Sequence, residues 1–237
     1  MLKVAKLFEQ LSHGELSNLS LAGEGDGTIS IPAQPKVILA ANDGLLDLFG
    51  RFTLKESNVL ITLLEDITHY HLIPRFAENY TPIDDEDDEP IRYIMDSPGE
   101  RFEGDILRIN KVFNSDGVRL PLNDTEALFS LFTPEYNILQ VVQPVTDMIL
   151  DIQYQARHAF LTGDLEQPIY IPEILEPVLR QYIAYKVFGD MNSQDSFKKA
   201  QQHLANYQFA CQNTRDADLV NSSTSTSNTK FEKRGWV

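Results

Sequence analysis

The chain has 237 residues, of which 42% are hydrophobic, and it carries a net charge of −15. This length fits one large or two small domains, and the apolar content is enough to fill a core. The charge argues against a general nucleic-acid binder, which needs Lys and Arg to displace counterions, and against docking on anionic membranes. With a single Cys, no expected signal peptide and no bilayer-spanning apolar run, the sequence predicts a soluble, acidic protein of a reducing compartment.

The first fifty residues predict two amphipathic helices. Residues 2–12 have one apolar side, which consists of Val4, Leu7, Phe8 and Leu11. Residues 35–50 follow the same helical period, with Pro35 suited to a first helical turn and Gly50 placed to end the helix. Gly44 lies inside this second pattern and weakens the helical prediction.

The middle of the chain predicts β-strands. Residues 59–64 and 68–73 are rich in β-branched and aromatic residues, although a continuous helix over 57–72 is the competing interpretation of so short an apolar run. Residues 104–113 alternate, and the turn sequence at 114–117 predicts a hairpin with a partner strand at 118–122.

Three further segments complete this region. Residues 125–132 are compatible with a short helix, and residues 137–143 and 148–156 predict two more strands. Because the strands do not alternate with helices, a parallel α/β sheet is disfavoured. The pattern is typical of an α+β fold with helices at both ends and antiparallel strands between them.

The stretch from residue 171 onward predicts a helical hairpin. The first helix opens at Pro172 and ends at Gly189, and the second has Asn192 or Ser193 as its N-cap. Apolar residues recur at spacings of three and four along both helices, and a short connection between two such faces indicates antiparallel packing. The predicted hairpin core is Leu175, Leu179, Ile183, Phe197, Leu204, Tyr207 and Cys211.

A flexible arm is predicted over residues 214–237. Every residue from 221 to 229 is Ser, Thr or Asn, and such a run cannot bury enough apolar area to offset its ordering entropy. The tail tip, residues 230–237, then combines two aromatic residues with three cations and includes the only Trp of the chain. This composition is typical of a docking peptide, and the expected docking residues are Lys230, Phe231, Lys233, Arg234, Gly235, Trp236 and Val237.

These segments predict four parts of the chain. Residues 1–50 supply the N-terminal helices of a helical domain, and residues 51–156 form a β-rich region. Residues 157–213 contain the helical hairpin that completes the helical domain, and residues 214–237 form the arm. The expected fold class is therefore α+β, a helical bundle with an antiparallel β insertion and an extended tail.

The sequence predicts no catalytic, cofactor-binding or metal site. The glycine-rich stretch at 23–27 has neither the preceding strand nor the Lys-Ser/Thr pair of a phosphate loop. His69 and His71 would share a strand face without a third ligand, which favours a polar strand face over a metal site. The acidic run at 84–89 lacks the alternating ligands and central Gly of a calcium loop and is expected to be a solvated loop.

Residues 150–211 resemble the head-to-tail adaptor (connector or neck) proteins of short-tailed bacteriophages. The resemblance is carried by residues 151–156 (DIQYQA), by residues 169–172 (IYIP) leading into Leu179, Tyr182, Ile183, Ala184 and Tyr185, and by residues 200–211. The order of elements and the closing residues 231–237 (FEKRGWV) are also similar to that family.

The resemblance implies a structural virion protein of the neck, made in the host cytoplasm and located between capsid and tail. Such proteins form a dodecameric ring that joins the portal to the tail, and their C-terminal arms dock into the portal protein. The implied partners are other copies of the chain, the portal, and tail nozzle or tail fibre proteins. DNA would pass through the channel without sequence-specific binding, which a negative lumen favours because it repels phosphate.

Two other classes of function remain open from the sequence. One is a tail-tube or nozzle structural protein, which would need more strand content than the pattern predicts. The other is a non-viral soluble enzyme or ligand-binding domain built on the β-rich region.

Overall fold

The computed structural model describes residues 1–19, 21, 27–81, 91–96 and 101–220. Helices and antiparallel strands both occur, which confirms the α+β class. The chain divides into two compact units. The helical unit comprises Met1–Leu54 and the chain from Leu161 onward, and the β unit comprises Lys55–Phe160.

Four α-helices occur in the described residues, and all of them belong to the helical unit: α1 (Val4–His13), α2 (Gln34–Arg51), α3 (Glu176–Gly189) and α4 (Gln194–Asp216). The strands are β1 (Leu2–Lys3), β2 (Glu56–Thr62), β3 (His69–His71), β4 (Ile94–Met95), β5 (Ile106–Asn114), β6 (Leu131–Glu135), β7 (Ile138–Val141), β8 (Ile149–Ala156) and β9 (Pro168–Ile169). Within the helical unit, β1 and β9 pair antiparallel.

Helices α1 and α2 follow the sequence pattern, with one correction. The predicted apolar side of α1 is buried as expected, at Val4, Leu7, Phe8 and Leu11. In α2, however, Gly50 does not end the helix, which continues to Arg51 and closes at Phe52 in extended backbone. Gly50 keeps helical backbone because a glycine at the end of a helix stops it only when it takes a left-handed conformation.

Gly44 marks the point where α2 comes closest to α3. A Cβ atom at this position would lie 2.8 Å from Leu179 Cδ1 and 2.9 Å from Tyr182 Cδ1. Real Cβ atoms do not approach other heavy atoms so closely, so the absence of a side chain permits the contact between the helices. The residue that weakened the helical prediction is therefore required by helix packing.

The predicted boundaries of α3 and α4 hold within a few residues. Pro172 does not start α3 but precedes a short 3-10 turn at Glu173–Leu175, after which α3 begins. The helix closes at Asp190, whose φ of −83° shows that no left-handed residue is used. Ser193 is the N-cap of α4 and accepts a hydrogen bond from the Ser196 amide, which compensates one of the free donors at the helix start.

The β unit contains a four-stranded sheet in the order β4-β2-β8-β5 and a three-stranded sheet in the order β3-β7-β6. All pairs between these strands are antiparallel. The strand interpretation of residues 59–64 and 68–73 is confirmed, and the competing helix over 57–72 is wrong. The two strands belong to different sheets, because β2 pairs with β8 and β3 pairs with β7.

Two predictions for the β unit are wrong. The turn at 114–117 is present, with Gly117 at φ 71°, but the expected partner strand at 118–122 is reduced to isolated bridges. Strand β5 pairs instead with β8, so its backbone hydrogen bonds are made to a strand that lies far along the chain. Residues 125–132 are not helical: residues 125–130 form a loop, and residues 131 and 132 begin β6.

The two sheets share one apolar core. Inward residues of β8 and β2, such as Ile152 and Ile61, are fully buried, as are Tyr70 of β3 and Leu139 of β7. The buried phenol of Tyr70 accepts a hydrogen bond from the Leu64 amide and donates one to the Leu64 carbonyl, at 2.9 and 3.1 Å. These bonds satisfy a polar group inside the core and fix the turn between β2 and β3.

Candidate functional site

The expected docking residues of the tail tip, Lys230, Phe231, Lys233, Arg234, Gly235, Trp236 and Val237, lie outside the described residues. The arm was predicted to start at residue 214. Helix α4 continues to Asp216, and Thr214 is buried and donates a hydrogen bond to the Ala210 carbonyl at 2.9 Å. Residues 214–216 therefore belong to the helix, because Thr214 continues its buried face.

The residues expected to form the hairpin core differ in how deeply they are buried. Five of them are almost completely buried, at Leu175, Leu179, Ile183, Tyr207 and Cys211. Leu204 is half-buried. Phe197 was expected in the core but is 60% exposed, because the buried face of α4 begins one turn later, at Ala200.

Tyr207 is the centre of the contact between α4 and α2. Its hydroxyl donates a hydrogen bond to the Asp47 carboxylate, which also accepts one from Arg51 Nε at 2.5 Å. The Arg51 guanidinium lies 5.6 Å from the centre of the Tyr207 ring, close enough for a cation–π contact. Burial raises the pKa of the Tyr207 hydroxyl, so the group stays protonated and acts as a permanent donor.

Helix α3 is joined to its neighbours by both polar and aromatic contacts. Lys186 forms an ion pair with Asp43 of α2 at 2.8 Å, and Tyr182 packs edge-on against Tyr207 with ring centres 5.1 Å apart. Near the end of α3, the Phe188 ring stacks on His203 of α4. These contacts join the three helices, and none of them brings a nucleophile together with a base.

Cys211 is a free thiol buried in α4. Burial raises the pKa of the thiol, and the hydrogen bond with Tyr207 only partly opposes this effect. A thiol with a raised pKa forms little thiolate near neutral pH and is therefore a poor nucleophile or metal ligand. Its position in the predicted core supports a packing role.

A polar cavity of about 480 Å³ lies in the β unit and contains a buried carboxylate. Asp105 is 5% exposed and accepts a hydrogen bond from the Tyr154 hydroxyl at 2.9 Å and from Lys55 Nζ at 2.8 Å. Two donors satisfy the buried carboxylate, and such an arrangement is typical of a structural interaction that holds separate chain segments together. The sequence did not indicate it, because the three residues are far apart along the chain.

An apolar groove of about 570 Å³ lies elsewhere in the β unit, at the loop before β6 and the loop after β7. Its lining includes Leu63, Leu120, Leu128, Phe129, Val142 and Met148. Leu128 and Phe129 are 84% and 77% exposed, and large apolar side chains that are exposed side by side often mark an interaction site. Sequence reasoning missed this groove, because it assigned 125–132 to a helix.

The two histidines considered as metal ligands are exposed and lie on one face of β3. The His69 ring lies 3.0 Å from the Thr68 hydroxyl, and the His71 ring packs against Phe76. Among the described residues, no group of three or more His, Cys, Asp or Glu side chains is arranged to hold a metal ion. The acidic run at 84–89 lies outside the described residues.

Comparison of the chain with models of known protein families and with curated proteins found no match. In the part of the chain that the structure describes, no helix combines the length and the apolar character needed to cross a bilayer.

Proposed function

We propose that this chain is a head-to-tail adaptor of a short-tailed bacteriophage. In this proposal, twelve copies form a ring in the neck of the virion that joins the portal to the tail and lines the DNA channel. The helical unit is the bundle that builds the ring, with α3 and α4 as its antiparallel hairpin. The β unit is the insertion, and the tail tip docks into the portal protein.

The observation that carries the proposal is the helical pair followed by a polar spacer and an aromatic, cationic tip. Helix α4 has 23 residues, and its contacts with α2 and α3 include those of Tyr207 and His203. After Val220, nine Ser, Thr and Asn residues precede the tip. A spacer of nine residues spans at most about 30 Å, which is enough for a tip to leave its own subunit and reach a neighbouring protein.

Most of the residues that carry the resemblance lie in regular secondary structure at the expected places along the chain, which supports the proposal. Residues 151–156 lie in β8, Ile169 ends β9 immediately before the approach to α3, and residues 200–211 lie within α4. The net charge of −15 is compatible with a channel that DNA crosses without adhering, since a negative lumen repels the phosphates.

Portal attachment should depend on the tail tip. Buried aromatic residues contribute disproportionately to binding, so Trp236→Ala should cost at least about 2 kcal/mol, or about 30-fold in affinity. Deletion of residues 230–237 should abolish attachment and leave folding intact. The assay is co-sedimentation with portal-bearing capsids of the phage that encodes the chain.

Phe197→Ala is the matched control, because it also removes one aromatic ring, from an exposed site in α4. This variant should attach like the unmodified chain. Attachment of the shortened chain with unchanged affinity would show that the tip has no docking role.

A further inference from the structure

The apolar groove of the β unit has the character of a binding surface. None of the described residues that line it is charged, and Val142 and Val145 are 56% and 62% exposed in addition to Leu128 and Phe129. Apolar side chains clustered around a concave surface are more typical of an interface than the same residues scattered singly. The groove is therefore a candidate site for an apolar or aromatic segment.

Phe129 has a backbone conformation that supports this interpretation. Its φ of 61° lies in the left-handed region, which is unfavourable for a bulky residue. Phe129 is 77% exposed, so packing of its side chain within the β unit does not offset the cost of this conformation. Strained residues of this kind concentrate at ligand-binding positions, where the conformation presents the side chain to a partner.

Among the described residues, the charged positions close in sequence to the lining are predominantly acidic. Glu126 and Asp147 are exposed and directly precede lining residues, and the exposed Glu65 lies two residues after Leu63. Arg119, which directly precedes Leu120, is an exposed cation. Asp151 follows the lining residue Leu150 and alternates to the other face of β8. An apolar segment that also carries cations would therefore complement both the groove and its surroundings.

The tail tip has this chemistry. Phe231, Trp236 and Val237 are apolar, and three cationic side chains are accompanied by a single acidic side chain, Glu232. Seventeen residues follow Val220, and the first nine of them are an uncharged polar spacer. The chain thus carries a groove and a segment that match in hydrophobicity and in charge.

We propose that the apolar groove of one copy binds the tail tip of a second copy. This contact is heterologous, since the tip and the groove are different surfaces, and repeated heterologous contacts close into rings or extend into chains. The contact goes beyond the proposed portal docking. It covers two apolar surfaces that would otherwise promote aggregation, and the portal then competes with the groove for the tip.

Trp236 provides a direct probe of this contact, because it is the only Trp in the chain. The full chain is followed over a dilution series by tryptophan emission and by sedimentation. As concentration rises, the emission should shift to shorter wavelength while the average mass increases, with one shared midpoint. A blue shift that does not depend on concentration would place the tip in its own copy and overturn the proposal.

Phe129→Asn tests the groove itself. Asn tolerates the left-handed region better than Phe does, so the variant should fold, and circular dichroism checks this. The midpoint for both signals should move to at least tenfold higher concentration. Leu128→Ser should act in the same direction, and Phe197→Ala should leave the midpoint unchanged. A Phe129→Asn variant with the same self-association midpoint as the unmodified chain would refute the proposal.

The same variants keep this proposal separate from portal docking. Phe129→Asn changes the groove but not the tip, so it should weaken self-association and keep portal attachment. A chain that self-associates through the groove but fails to bind the portal would contradict only the adaptor proposal.

Discussion

Gly44→Ala tests the close approach of α2 and α3. The added Cβ would lie 2.8 Å from Leu179 Cδ1 and 2.9 Å from Tyr182 Cδ1. Leu179 is completely buried, and the Tyr182 ring packs edge-on against the buried Tyr207. Neither neighbour can move without disturbing the packing around it, so the new methyl group must push the helices apart or force a rotamer change.

A matched variant separates the free-energy cost of crowding at position 44 from the gain in helix propensity that any Gly-to-Ala change brings. Replacing a helical Gly by Ala stabilises the folded state by up to about 1 kcal/mol, whereas one extra methyl group in a packed contact costs about 1–3 kcal/mol. Gly50 lies in the same helix, and a Cβ there would meet no atom within 4 Å. Gly50→Ala should therefore stabilise the protein, and Gly44→Ala should be about 1–3 kcal/mol less stable than Gly50→Ala.

Urea unfolding followed by far-ultraviolet circular dichroism measures this difference, since the helical unit dominates the helical signal. The midpoint should fall for Gly44→Ala and rise for Gly50→Ala, with the slope of the transition unchanged. Equal midpoints for the two variants would refute the close approach of the two helices.

Two further predictions concern buried polar groups. Tyr207→Phe should destabilise the helical unit by about 1 kcal/mol, because Asp47 loses a buried donor but keeps Arg51; a denaturant midpoint equal to that of the unmodified chain would contradict this role. Burial lowers the pKa of His158 and of His203, so the unfolded chain takes up protons first and stability should fall as pH drops below about 6.5. Thermal unfolding between pH 7.5 and pH 5 should show this slope, His158→Gln should reduce it, and an unreduced slope would contradict the assignment to His158.

Local patterns predicted the four α-helices of the described residues to within a few residues, because a helix depends mainly on residues that are near in sequence. The apolar side of α1 repeats at the helical period, and Ser193 has the chemistry of an N-cap before the first turn of α4. The same patterns could not predict Phe197. A residue one turn before the buried face fits the apolar repeat, and only the contact between helices shows where that face begins.

The β unit was harder to predict because its pairings are not local. Residues 118–122 look like a strand after a good turn, yet β5 pairs with β8. Local patterns could not predict the apolar groove either. Leu128 and Phe129 fit the pattern of a short helix, and only the left-handed backbone of Phe129 shows that they lie in a loop. For the candidate docking residues, composition alone indicated the tail tip, and the tip lies outside the described residues.

The adaptor proposal is tested most directly by electron microscopy of the chain mixed with the portal protein that the proposal expects in the same genome. The account predicts a dodecameric ring of the chain on the portal, with an open central channel and with extra density from the tail tip between portal subunits. Particles without a channel, or a portal that carries no additional ring, would contradict the account.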